Sequence, residues 1–120
     1  MPDHIHWVFS LGSRLTLSQV VSKWKFLTRE RLAVAGLEWQ ANYFEHRLRE
    51  SDDVEAYAFY VFMNPYVAKL TDCDEAWPWW RKGAQIQFQF ETQLTHRRTP
   101  QPEWLKLAAA TGAGLDVAQD

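Results

Sequence analysis

Two histidines one residue apart, and a tyrosine followed four residues later by an asparagine, are the groups in this chain best suited to chemistry. His4 and His6 flank Ile5. In an extended strand successive side chains point to opposite faces, so the two imidazoles share one face, while Ile5, Trp7 and Phe9 share the other as a core-facing stripe. Two imidazoles so placed make half of a metal site. A polar strand face near a terminus gives the same pattern. Tyr60 and Asn64 stand on one side of a helical turn. Each has a structural role open to it as well: Tyr60 as one more amphipathic tyrosine on a core helix, and Asn64, ahead of Pro65, as a helix C-cap. Tyr57 is the rival phenol on that segment, on the apolar face with Val54 and Val61.

The elements that must carry these groups follow from the patterning. Residues 4–9 read as a strand. "SLGSRLTLSQ" supplies a turn and then a helix start, with Thr16 and Gln19 spaced as a capping box. Leu17, Val20, Val21, Trp24, Leu27 and Leu32 recur at helical spacing to about Arg31, opposite a polar face of Ser18, Ser22, Lys25 and Arg29. Gly36 ends that pattern, and the following segment is irregular. Asp52 and Glu55 suggest a second capping box, opening a helix with Val54, Tyr57, Ala58 and Val61 on one face. Pro65 disfavours helical dihedrals in the residue before it, so this helix is expected to end at Asn64. Residues 85–91 alternate strictly, Ile86, Phe88 and Phe90 against Gln85, Gln87, Gln89 and Glu91, which is the strongest strand signal in the chain. A short helix through Leu107 and an Ala/Gly-rich tail complete the reading.

At 120 residues the chain is expected to form one domain at most, long enough for a single core. Aromatic residues make up 15%, with 7 Trp, which suits a heavy core or surfaces on which bases or sugars stack. No apolar run approaches the length of a membrane span, no signal peptide is indicated, and a single cysteine, Cys73, fits a reducing cytoplasm. The net charge of −2 does not suggest a nucleic-acid protein, but its distribution is uneven. Residues 14–49 carry seven basic side chains (Arg14, Lys23, Lys25, Arg29, Arg31, Arg47, Arg49) against three acidic ones, a net of +4 that leaves −6 for the remainder. Such a face suits phosphates, and equally suits a solvated helix of mixed charge.

Four blocks, in order, resemble the repeat-associated branch of the single-tyrosine HUH transposases. "MPDHIHWVF" resembles that family's Met-Pro-Asn-His-x-His segment, and "LEWQANYFEHRLR" its Trp-Gln…Phe…His…Arg segment. "YVFMNPYVAKL" is similar to its Tyr-Ile-x-x-Asn-Pro-Val-x-x-Gly-Leu block, and "WPWW" stands where it carries Trp-Pro-x-Ser. The resemblance spans Met1 to about Trp80. It implies an α+β fold, a partial ferredoxin-like (HUH endonuclease) antiparallel sheet with packed helices. The transposase domain would cover residues 1–83, and residues 84–120 would form a C-terminal strand/helix extension and tail.

The chemistry implied is cleavage and rejoining of single-stranded DNA, with hairpin-forming repeats as substrate. Tyr60 would be the nucleophile, and His4, His6 and Asn64 would hold Mg²⁺ or Mn²⁺. Trp39, Gln40 and His46 lie in the segment that runs near the DNA path in the family. Trp39 is as apt to be core, and His46 to be a satisfied structural histidine. With Lys23, Lys25, Arg29, Arg47 and Arg49 they complete the candidate DNA contacts. Relatives work as dimers or monomers, so the oligomeric state stays open. Three positions depart from the family pattern: Asp3 for Asn, Lys69 for Gly, and Trp80 for Ser. In the family the His-x-His segment is preceded by further elements of the same sheet, so an incomplete domain is expected here. Two other readings remain: a single-stranded DNA-binding remnant without cleavage, and a structural or interaction protein.

Overall fold

The computed structural model of the chain describes residues 4–49 and 51–111, with Asp3 outside that range. Three α-helices occur in order, α1 (Leu17–Val34), α2 (Val54–Val67) and α3 (Pro102–Thr111), with a 3₁₀ turn at Gln89–Gln93 before α3. They fall into two compact units, one of Phe9–Phe44 and one of Met1–Val8 with Glu45–Asp120. No described helix is long and apolar enough to cross a membrane.

The Phe9–Phe44 unit is built on α1. The Thr16 hydroxyl accepts from Gln19 N–H at 3.2 Å and Thr16 N–H donates to Gln19 Oε1 at 2.9 Å, so the expected capping box forms. At the other end Gly36, at φ 75°, donates to the Ala33 carbonyl and Leu37 donates to that of Leu32. This is a Schellman motif, in which glycine takes the left-handed position without a Cβ penalty. Leu17, Val20, Val21, Trp24, Thr28 and Leu32 are half-buried. Leu27, expected on this stripe, is 66% exposed, because the stripe steps four residues from Trp24 to Thr28 rather than three. Residues 39–43 return along α1. Trp39 packs on Trp24 with ring centroids 4.8 Å apart, and its indole N–H donates to Thr28 Oγ1 at 2.8 Å. Lys25 Nζ donates to the Gln40 carbonyl at 2.7 Å, and the Tyr43 and Ser18 hydroxyls lie 3.1 Å apart.

The other unit is organised around α2. Its N-cap is Asp53 rather than Asp52: the Asp53 carboxylate accepts from Glu55 and Ala56 N–H, while Asp52 accepts from Arg49 N–H at 2.7 Å. The helix passes through Pro65 instead of stopping at Asn64. A proline inside a helix costs about 3 kcal/mol. Burying Met63, 1% exposed, and Tyr66 returns about 1.5–3 kcal/mol each, which outweighs that cost. The core face is Ala58, Phe62, Met63 and Tyr66, rotated from the expected face, on which Val54 is exposed.

Phe90 completes this core, with Phe59, Trp77, Trp80, Phe88, Leu94, Trp104 and Leu105 packed around it. Glu91 lies buried beneath them. Its carboxylate accepts from Lys82 Nζ at 2.7 Å, Phe88 N–H at 3.1 Å and Arg98 at 3.5 Å. Burial would raise its pKa, but these donors and the Lys82 and Arg98 charges prevail, and the carboxyl sits below its usual range. Thr99, fully buried, donates to the Cys73 carbonyl at 2.6 Å. Thr95 Oγ1 accepts from Arg97 and Thr99 N–H and lies 2.6 Å from Thr99 Oγ1, so its own proton points to that oxygen. This relay fastens the loop around Cys73 to residues 95–99.

The expected α+β fold with a ferredoxin-like antiparallel sheet is not formed: no strand occurs among the described residues. Residues 4–9 and 85–91 have the alternation of strands, but no strand ladder forms at either among the described residues, and an isolated strand is not stable in water. At the second site an alternative prevails. The 3₁₀ turn lets the Phe88 and Phe90 rings stack, with centroids 5.5 Å apart and planes 10° apart, where a strand would separate them by about two rises of 3.3 Å. Gln89 N–H donates to Glu55 Oε1 at 2.5 Å, tying the turn to α2.

The turn after α2 shows what Lys69 does in the place of glycine. Lys69 N–H donates to Tyr66 and Leu70 N–H to Pro65, the same Schellman pattern that closes α1, with Lys69 held at φ 62°.

Candidate functional site

His4, His6 and Tyr60 come together within one unit. The His4 and His6 ring centroids are 4.9 Å apart at 80°, and the His6 ring stands edge-on to Tyr60 at 5.7 Å and 89°. Residues 4–8, which carry the two histidines, are not part of a strand. Tyr60 is 7% exposed and is presented by α2.

Of the two imidazoles, His6 is half-buried and His4 exposed. Burial, with the His4 charge beside it, pushes the His6 pKa below the usual value, so the ring is neutral at neutral pH. Its Nε2 is buried and makes no hydrogen bond. A buried polar atom left without a partner is costly, and a lone pair in that state suits a metal ion or an incoming donor. Two imidazoles in edge contact thus fit the nitrogen side of a divalent-ion site.

Asn64 follows Tyr60 by one turn, and its backbone carbonyl accepts from Ala68 N–H at 2.9 Å. Its side chain is half-buried, and no ring or hydrogen-bond contact joins it to the histidines among the described residues. No group of three His, Cys, Asp or Glu side chains able to hold a metal occurs among the described residues. Any ion there would complete its shell with Asn64, water or substrate oxygens.

The candidate DNA contacts divide between the units. Lys23, Lys25, Arg29, Trp39 and Gln40 lie in the Phe9–Phe44 unit, and His46, Arg47 and Arg49 in the other. Lys23 is exposed, whereas Lys25 is half-buried over the Tyr43 ring at 5.9 Å, and Arg29 lies 4.7 Å over the exposed Phe26 ring. Trp39 and Gln40 serve the unit's own packing through the contacts to Trp24, Thr28 and Lys25. Arg47 and Arg49 are exposed. His46 Nε2 lies 2.8 Å from the Tyr57 hydroxyl, with the two rings stacked at 5.3 Å.

Sequence reasoning missed that pairing, and it missed the burial of Glu91, which the alternating pattern put with Gln85, Gln87 and Gln89 on the face opposite Phe90. The only signal for Glu91 was the set of basic residues on both sides, Lys82 and Arg98.

No family model matches the chain, and no solved structure matches it. The chain is similar to the REP-associated tyrosine transposase of Escherichia coli (strain K12), with 25% identity over 84 residues, covering 65% of this chain and 47% of that protein. It thus spans about half the length of the curated relative it matches. At that distance the likeness supports a relation to the tyrosine transposases.

Proposed function

We propose that the chain acts on single-stranded DNA as a tyrosine transposase does, with Tyr60 as the nucleophile and hairpin-forming repeats as substrate. One observation carries this reading: the buried, unpartnered Nε2 of His6 beside Tyr60, with His4 in contact, on a chain similar to a tyrosine transposase. The phenolic oxygen of Tyr60 forms a bond to phosphorus, and the 3′-oxygen leaves and takes the proton. The products are a 5′-phosphotyrosine link and a free 3′-hydroxyl. Attack by a 3′-hydroxyl on that link rejoins the strands, and the bond energy is conserved throughout.

His4, His6 and Asn64 would hold Mg²⁺ or Mn²⁺, which when bound supplies Lewis acidity at a phosphoryl oxygen. Imidazole nitrogens favour transition ions over Mg²⁺, so Mn²⁺ is the better match. The strand is gathered by cations and rings: Lys25 and Arg29 lie one turn apart on α1 beside exposed Tyr43 and Phe26, a combination that binds phosphates and stacks bases.

The test is a denaturing gel of the full chain with hairpin-forming single-stranded DNA from its genomic flank and Mn²⁺. A covalent adduct that disappears in Tyr60→Phe and with chelator is the expected result. A folded protein that binds this DNA and forms no adduct refutes the nuclease and leaves a binding role.

A further inference from the structure

Apart from the His4, His6 and Tyr60 cluster, α2 presents a second phenol to a second imidazole. Tyr57 lies one turn before Tyr60 on the helix. Its hydroxyl is 2.8 Å from His46 Nε2, and the rings stack with centroids 5.3 Å apart and planes 23° apart. A hydroxyl within hydrogen-bond reach of an imidazole nitrogen is the geometry of a nucleophile held by its general base. Stacking limits the rotation of both rings, which keeps oxygen and nitrogen in register. Tyr57 is half-buried and His46 exposed, so this hydroxyl lies nearer to solvent than the enclosed Tyr60 ring.

We infer that Tyr57 and His46 form a base-held phenol nucleophile directed at a phosphodiester, separate from the His4 and His6 cluster. The choice of phosphodiester rests on the nucleic-acid chemistry proposed for the chain, whereas the dyad stands on its own geometry. In the step, the Tyr57 oxygen forms a bond to phosphorus as the bond from phosphorus to the leaving oxygen breaks. His46 Nε2 takes the phenolic proton and delivers it to the leaving oxygen. The products are a tyrosine-linked phosphodiester and a free hydroxyl, with nothing else consumed. For this the neutral His46 ring must accept at Nε2 and Tyr57 must donate, one of the two senses the hydrogen bond permits.

The experiment uses the full chain and diisopropyl fluorophosphate, a phosphorus electrophile that needs neither DNA nor metal. Peptide mapping over time gives the rate of phosphorylation at each tyrosine. Tyr57 is expected to react at least about tenfold faster than the exposed Tyr43, a conservative figure for general-base assistance. His46→Gln, with its helical circular dichroism unchanged, is expected to bring Tyr57 down to the Tyr43 rate, while Tyr60→Phe leaves the ratio unaltered. A Tyr57 rate in the wild-type chain no higher than that of Tyr43 overturns the inference, and so does a rate indifferent to folded His46→Gln. Because no DNA is present, failure of the Tyr60 adduct assay leaves this ratio untouched, and the two readings fail separately.

Discussion

Both described Schellman turns close a helix in the same way, but one carries glycine at the left-handed position and the other lysine, so they test each other. Gly36 sits at φ 75° and Lys69 at φ 62°. An L-residue in that conformation costs roughly 1–2 kcal/mol. Placing glycine there relieves the cost but loosens the unfolded chain, which returns about 0.4–1 kcal/mol. Lys69→Gly also removes a cation from a helix C-terminus, worth about 0.3 kcal/mol at an exposed site. The net for Lys69→Gly is a stabilisation of about 0.5 kcal/mol, combining these terms. Gly36→Ala reverses the first two terms and is expected to destabilise by about 1 kcal/mol. Nothing lies within 4 Å of a Cβ built on Gly36, so that penalty is backbone alone. Urea titration followed by far-ultraviolet circular dichroism and tryptophan fluorescence reads both, with slopes of about 1–3 kcal/mol per molar. The Lys69→Gly midpoint should rise by about 0.3 M and the Gly36→Ala midpoint should fall, each with unchanged slope. Shifts of the same sign in the two variants would refute the reasoning, because one backbone term dominates both.

Three further outcomes follow from contacts described above. Glu91→Gln is expected to destabilise by about 1–2 kcal/mol, below the usual cost of a broken buried pair because Arg98 and part of Lys82 face water. Since the folded carboxyl is held below its usual value, its contribution is present above the unfolded pKa, about 4.3. That contribution is lost as pH falls through the lowered folded value, so the variant's acid limb should be flatter in a pH series of urea midpoints. Thr99→Val removes the donor to the Cys73 carbonyl while keeping the shape, and is expected to cost about 1–3 kcal/mol by the same titration. Replacing Lys25 or Arg29 by glutamine should lower the slope of log affinity against log salt for single-stranded DNA by about 0.7 each, measured by fluorescence anisotropy. An unchanged slope would remove that residue from the interface.

One signal confined to a few neighbouring residues read out correctly, while the equally local pair of Asp52 and Glu55 placed the next cap one residue early. Thr16 and Gln19 meet across one turn, so the start of α1 was visible in four letters, and its apolar stripe was right apart from Leu27. Signals that need a distant partner did not. Alternation at residues 85–91 describes which side chains can share a face, and a sheet forms only if another strand supplies the ladder. Here the stack of Phe88 on Phe90 and the burial of Glu91 took that segment instead. The rule against helix before proline failed at Asn64 for a related reason: it is a local preference, and burial of Met63 and Tyr66 is a tertiary gain. Of the candidate site, the neighbourhood of the two histidines was visible in their spacing. The approach of His6 to Tyr60 was implied only through family resemblance, and the pairing of His46 with Tyr57 had no local signal.

Residues 4–8 belong with α2, yet the whole of Phe9–Phe44 lies between them in the chain. The approach of His6 to Tyr60 is therefore an intramolecular binding event, with an effective concentration set by that intervening stretch. Phe9–Phe44 is a folded unit, so the separation of its two ends, rather than the length of a random coil, sets that value. The histidines are in this sense a tethered ligand of α2, present at the tyrosine for as large a fraction of time as this concentration exceeds their dissociation constant. A peptide of residues 1–8 supplied in trans should then reconstitute the contact in a chain lacking those residues, half-saturating at that constant.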